Sequence, residues 1–209
     1  MCSLAGMPIA GLGTMAQTLC GTLLLRAIDL IEQSEQALAT ELFGVVPLAS
    51  ELCASGQPVH CSPSLTFTHN EPAVNLYSAG PGFEPHKDLQ ALTVLVPLVG
   101  AEAFQGGGTG FWSRPPAKTP SSHAMGTVRH VIDTAAPATV ITPPAGTALL
   151  FGGDVTHAGQ PVIAGQRAVF VASFSRQSTA RQAVGGMDMP EEELQRLERT
   201  VLEQMYGDG

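Results

Sequence analysis

Apolar positions along this chain follow two different periods. From about Thr14 to Leu42 they recur at helical spacing. Leu23, Ala27, Leu30, Ile31 and Leu38 form a partly apolar stripe, leaving Asp29, Glu32, Glu35 and Glu41 for a wet face. Gly21 weakens the early turns, so one or two helices are expected, and Gly44 followed by Pro47 supplies a stop. Residues 1–13 are small, apolar and Gly-rich, which predicts an irregular lead-in. Between Pro47 and Pro72 lie Pro, Ser, Gly and two Cys, with short extended pieces such as SLTFTHN. Beyond Pro72 the pattern changes to short apolar runs separated by turns: AVNLY, LTVLVPLV, GTGFW, VRHVID, ATVI, TALLFGG and RAVFVASF. Runs of about 4 to 8 residues rich in Val, Ile, Phe and Thr predict a mainly β sandwich, barrel or jelly roll. No helical pattern separates them, which excludes a Rossmann or TIM architecture. Residues 113–124, SRPPAKTPSSHA, read as a polar surface insertion. The tail from Pro190 to Tyr206 predicts a helix. Met189, Leu194, Leu197, Val201 and Met205 keep its spacing, and Pro190 followed by Glu191, Glu192 and Glu193 suits its start.

Composition narrows the partners. The chain has 209 residues, 44% of them hydrophobic, enough for one domain over 1–209 with a substantial core. A net charge of −8 with ten Lys and Arg in total argues against nucleic acid, because phosphate binding needs clustered cations. Cys2, Cys20, Cys53 and Cys61 form no CxxC pair and no zinc cluster. Cys53 and Cys61 flank ASGQPVH and could close a small loop in an oxidising compartment; two independent thiols is the plainer expectation. No apolar run approaches the roughly 18 residues of a membrane span, and MCSLAGMPIAGLG lacks the basic region of a signal peptide. The expectation is a soluble cytoplasmic protein without a membrane partner.

Candidate chemistry starts at GFEPHKDLQALTVLVPL, where His86 and Asp88 precede an apolar run. In extended backbone, residues i and i+2 point the same way, so this pair can chelate one ion or simply form a salt bridge. His157, in TALLFGGDVTHAGQPV, follows another apolar strand and is the best third ligand. Two imidazoles and one carboxylate on one face of an octahedral metal leave three positions open, the donor set of non-haem Fe(II) oxygenases. Arg167, in AGQRAVFVASF, places a guanidinium among apolar neighbours, where it needs an anion. That anion is either a carboxylate of the protein, such as Asp154, or a bound acid gripped in a bidentate fork. Gly106, Gly107 and Gly108 are read as a tight rim turn; they lack the GK[ST] ending of a phosphate loop. Trp112 is an even choice between substrate stacking and plugging the barrel end. His60, His69, His123, His130 and Lys118 are read as structural or surface residues.

These pieces occur in a recognisable order: Tyr77-x-x-Gly80-x-x-Phe83-x-x-His86-x-Asp88, LTVLVPL, FQGGGTGF, PPAGTALLF, then HAGQPVIAGQR from His157 to Arg167. Over Val74–Phe174 the chain resembles the 2-oxoglutarate- and Fe(II)-dependent dioxygenases, specifically the prolyl 4-hydroxylase-like branch that also holds lysyl hydroxylases. The resemblance implies a double-stranded β-helix (a cupin-like jelly roll) over 74–174. It also implies supporting helices at 14–43 and 190–206. It makes His86, Asp88 and His157 the iron ligands, Arg167 the grip on the distal carboxylate of 2-oxoglutarate, and Tyr77 its assistant. The implied reaction couples dioxygen and oxidative decarboxylation of 2-oxoglutarate to C–H hydroxylation, with ascorbate as a candidate reductant. The chain departs from its relatives at three points. Arg167 stands where prolyl hydroxylases usually carry Lys, Val171 where some relatives place a hydroxyl, and Pro97 where some have Tyr.

A prolyl residue of a peptide or protein leads as substrate, with a lysyl residue or a small molecule behind it. Two other classes remain: a non-catalytic cupin-like metal-binding module, and a barrel enzyme whose metal uses no oxo acid. Neither needs a carboxylate anchor ten residues beyond the last ligand.

Overall fold

A computed structural model describes residues 4–88, 90–113 and 136–177. The VRHVID run, most of the 113–124 insertion with Lys118 and His123, His130, Cys2 and the 190–206 helix lie outside the described residues. The described residues up to Arg176 fall in one compact unit. It consists mainly of antiparallel β-sheet with a few helices.

The N-terminal helices form where the 3.6-residue period predicts them. Helix α1 spans Thr14–Ser34 and α2 spans Gln36–Phe43, ending on Gly44 at φ 79°. The buried stripe of α1 is Cys20, Leu24, Ala27, Ile28 and Ile31. It shares Ala27 and Ile31 with the expected one but leaves out Leu30, 42% exposed, as α2 leaves out Leu38, 43% exposed. Glu32 is not on a wet face either. Its carboxylate accepts from the backbone N–H groups of Leu48 and Ala49, capping a third helix, α3, at Leu48–Ala54. That helix was hidden in a stretch read as loop. Helix α1 is long and apolar enough to cross a bilayer by length and composition, contrary to the expectation above, yet its stripe packs into the shared core.

Ten strands are described: β1 (Leu4–Pro8), β2 (Leu65–Phe67), β3 (Ala73–Gly80), β4 (Leu92–Pro97), β5 (Phe104–Gly106), β6 (Thr109–Phe111), β7 (Thr139–Ile141), β8 (Leu149–Gly152), β9 (His157–Gly159) and β10 (Val162–Arg176). One sheet runs β1-β3-β10-β4-β8, with β2 and β5 also paired to β10; a three-stranded sheet runs β7-β6-β9. The lead-in is therefore not irregular. Leu4–Pro8 pairs with Ala73–Tyr77 and becomes an edge strand despite its Gly and Pro.

Strand β10 is the spine, and its alternation divides the molecule. Phe170, Ala172 and Phe174 point to the helices and join Leu24, Ile28, Leu48 and Phe43 in the main core. Phe174 stacks on Phe43 at 6.1 Å and tilts against Phe67 at 5.9 Å. Truncating either buried Phe of β10 would cost about 3–5 kcal/mol. The alternate residues, Arg167, Val169, Val171 and Ser173, face the other way. Beside them stand Thr93 and Leu95 of β4 and Asn75 and Tyr77 of β3, on the same face by register. Tyr77, Leu95, Val162 and Val169 form a second, smaller core there. One face of the sheet thus holds the fold, and the other carries the polar chemistry.

Candidate metal centre

His86 and His157 are fixed first by backbone. Each donates its N–H to the other's carbonyl, at 2.9 and 3.0 Å, forming an isolated antiparallel bridge. Their rings stand side by side, 4.6 Å between centroids. Asp88 is held by its N–H to the Gly153 carbonyl at 3.2 Å and by Thr68, whose hydroxyl donates to the Asp88 carbonyl at 3.3 Å. A Cβ at Gly153 would fall 1.7 Å from the Gln90 carbonyl oxygen, so only glycine permits this approach.

The three side chains converge. His86 Nε2 lies 3.7 Å from Asp88 Oδ1, and His157 Nε2 lies 3.5 Å from Asp88 Oδ2. One ligand atom from each of the three lies within 4.8 Å of the others. Both imidazoles are oriented from behind: His86 Nδ1 meets the Glu84 carbonyl at 2.9 Å and His157 Nδ1 meets that of Val155 at 3.0 Å. A carbonyl only accepts, so each Nδ1 carries a proton, which leaves Nε2, the nitrogen turned toward Asp88, as the one to bind a metal. Burial pushes His157 below its usual pKa, with the Val155 carbonyl and Asp88 opposing, which keeps the ring neutral. Side-chain exposure grades from 7% at His157 and 8% at Asp88 to 45% at His86, so His86 sits at the mouth. Two imidazoles and a carboxylate fit a divalent first-row metal such as iron.

Arg167 is 2% exposed on β10 and has no carboxylate within ion-pair distance among the described residues. The Asp154 partnership therefore does not form. Its Nη2 donates to Thr109 Oγ1 at 3.0 Å, its guanidinium carbon lies 5.0 Å over the Tyr77 ring, and its Nη1 has no hydrogen-bond partner among the described residues. Burial depresses the Arg167 pKa, opposed by Tyr77, and burial raises that of Tyr77, opposed by Arg167 and Asn75. Tyr77 is thus a neutral phenol, not a counter-ion. A buried cation with a free N–H is costly until an anion fills the space.

A cavity of about 180 Å³ between the two sheets opens on the triad and on Tyr77 and Thr109, the two residues that Arg167 touches. The metal triad, Tyr77, Thr109 and Glu71 all line it. Phe83 forms part of its wall, edge-on to Tyr77 at 5.8 Å. Sequence reasoning missed Asn75, Thr109 and Glu71. Asn75 was signalled by sitting two residues before Tyr77 on one strand face; Thr109 had only its place after the glycines, and Glu71 had no signal. Trp112 donates its N–H to the Thr156 carbonyl, next to His157. Cys20, Cys53 and Cys61 are free thiols, so the small-loop disulfide is not formed. His60 is half-buried and His69 exposed.

No family model and no curated protein matches the chain. Among solved structures, it resembles an oxidoreductase of the 2OG-Fe(II) oxygenase family from Burkholderia pseudomallei at 15% identity and TM-score 0.36. That match covers 65% of this chain and 59% of the other. It also resembles Peruvianin-I, a cysteine peptidase from Thevetia peruviana latex, at 16% identity and TM-score 0.30, covering 55% of this chain and 61% of that one. At such scores neither likeness bears on fold or activity, and the two proteins carry unrelated chemistries.

Proposed function

We propose that this chain is a 2-oxoglutarate- and Fe(II)-dependent dioxygenase, built as a double-stranded β-helix and hydroxylating a prolyl residue of a peptide or protein. The observation that carries the reading is the pairing of two unmet needs around one cavity: the triad lines it, and Arg167 lies behind its Thr109 and Tyr77 wall. Three ligand atoms lie within 4.8 Å with their lone pairs convergent, and the same face of the sheet holds a buried guanidinium with an orphan N–H. A small acid with one end on the metal and a carboxylate at the other meets both needs. When bound, iron supplies the activation of dioxygen for oxidative decarboxylation and hydroxylation. The chain's own residues do the rest. His86, Asp88 and His157 hold the metal on one face. Arg167 and Thr109 receive the distal carboxylate over the Tyr77 ring, and Phe83, Leu95 and Val169 exclude water. The prolyl substrate rests on the family resemblance of the sequence. One observation favours the lysyl alternative: the Glu71 carboxylate lines the cavity and would partner a cationic side chain.

The test is Fe(II)-dependent formation of succinate from 2-oxoglutarate, coupled to a +16 Da product on a panel of prolyl and lysyl peptides. His86→Ala and His157→Ala are expected to abolish both products. Arg167→Met is expected to raise KM for 2-oxoglutarate about 100-fold, because about 3 kcal/mol of charge-assisted hydrogen bonding is lost. Its metal affinity stays unchanged. Succinate formation that survives loss of either histidine would overturn the reading.

A further inference from the structure

We infer that Thr93 is a positioning residue for Asp88, fixing which carboxylate oxygen the metal can take; this rests on the metal-centre reading above. Thr93 is the one hydroxyl in the apolar strand LTVLVP, and it is 0% exposed. Its cross-strand partner on β10 is Ser173, also 0% exposed. Two buried hydroxyls facing each other in a sheet are costly unless bonded. Thr93 Oγ1 lies 2.5 Å from Asp88 Oδ2 and 3.2 Å from Ser173 Oγ.

The proton count sets the direction. An ionised carboxylate only accepts, so the Thr93 hydroxyl donates its single proton to Asp88 Oδ2. Toward Ser173, Thr93 then has only a lone pair to offer. Ser173 has a choice, because its hydroxyl also meets the Glu71 carboxylate, which already accepts from the Ser173 backbone N–H at 2.5 Å. Thr93 is therefore the committed member of the chain and Ser173 the adjustable one. With Oδ2 held, Asp88 presents Oδ1 as the unencumbered oxygen, on the His86 side. Without Thr93 nothing holds Oδ2, and the carboxylate is free to rotate, so that neither oxygen keeps its place beside the histidine nitrogens, now 3.7 Å from Oδ1 and 3.5 Å from Oδ2. The ligand would then lose its set geometry. Partners behind metal ligands typically change metal affinity about 10- to 100-fold.

The experiment titrates the metal-free full chain with Co(II) alone, reading the dissociation constant and the visible absorption spectrum, with thermal melting of the metal-free protein in parallel. Thr93→Val, nearly isosteric, is expected to weaken Co(II) binding about 10- to 100-fold and to alter the spectrum. Thr93→Ser, which restores the hydroxyl, should bind within about threefold of wild type, and Ser173→Ala should lose less than about tenfold. A purely structural role would lower the melting temperature of Thr93→Val while leaving affinity and spectrum as in wild type; that result overturns the proposal. If Thr93→Val does not fold, Thr93→Ala is compared with Thr93→Ser by the same criteria. The two readings fail separately. Co(II) bound equally well by wild type and His157→Ala overturns the metal centre itself. Co(II) binding lost in His157→Ala but untouched in the Thr93 variants overturns only the positioning role.

Discussion

Glu71 brings a second carboxylate to a cavity that already holds Asp88, and its environment makes it titrate late. Burial pushes it from 4.5 to about 7; the Ser173 hydrogen bonds pull the other way, and Asp88 adds a smaller upward push. The folded-state value lies above the unfolded one, so between 4.5 and about 7 the folded chain binds more protons. The contribution of Glu71 is therefore fully present below 4.5 and is lost as pH rises through about 7. Its size is on the order of 2 kcal/mol after allowing for partial exposure. His157 works in the opposite sense. Burial lowers its pKa from 6.5, so its contribution is present above that value and is lost as pH falls. The two oppose each other in wild type, and the comparison with Glu71→Gln isolates the carboxylate. In urea unfolding with chelator present, the stability of wild type relative to Glu71→Gln should fall by about 2 kcal/mol from about pH 5 to about pH 8. A flat difference would mean that Glu71 titrates like an exposed carboxylate.

The link from β5 to β6 shows what one element can and cannot disclose in sequence. Gly106, Gly107 and Gly108 all take positive φ, at 73°, 70° and 95°, as a run of three glycines suggests. The turn is stitched to the chain before β10: Gly107 N–H donates to the Pro161 carbonyl at 2.7 Å, and Gln160 N–H to that of Gly108 at 2.9 Å. The expected rim turn is there. Its consequence, a Thr109 hydroxyl delivered to Arg167, was invisible, because Thr is an ordinary strand residue. A Cβ at Gly107 would lie 2.8 Å from the Phe104 ring and 3.3 Å from Arg167 Cδ. Gly107→Ala should therefore cost about 2 kcal/mol in urea unfolding, from positive φ and crowding together. On the proposed function it should also raise KM for 2-oxoglutarate several-fold through the displaced Arg167, with Co(II) affinity unchanged. A stability loss with unaltered KM would confine the turn to a structural role. Elsewhere legibility followed the same physics. Strong local periods gave α1, α2, β3, β4 and the centre of β10. Strand β1 was misread because its pairing with β3, not its own composition, makes it extended. Helix α3 was missed because its N-terminal cap comes from Glu32, on another helix.

At the scale of the whole molecule, the centre joins segments far apart in the chain. His86 and Asp88 lead into β4 of the large sheet, whereas His157 opens β9 of the small one. The sequence singled out all three residues of the candidate triad and Arg167, because HxD before an apolar run and a lone cation in another are chemically odd there. It could not carry the sheet pairing that makes them neighbours, nor the absence of a carboxylate beside Arg167 among the described residues, since both depend on long-range register. Joining distant segments has a thermodynamic signature. A metal bound only by the folded chain stabilises it by about 2.7 kcal/mol at 100 times its dissociation constant. For a chain of this size that corresponds to a rise in melting temperature of roughly 5–10 °C. Mn(II), which takes imidazole and carboxylate ligands without redox cycling under anaerobic conditions, should give this rise. Mg(II), which prefers oxygen ligands and its own waters, should give little. His86→Ala removes the exposed ligand at the mouth, so the fold should survive while most of the Mn(II) increment disappears. His157→Ala removes a buried ring packed 4.5 Å from Phe151, so it should lower the metal-free melting temperature as well. If Mn(II) raised the melting temperature equally in wild type and His86→Ala, the stabilising ion would be bound elsewhere and the triad would not be its site.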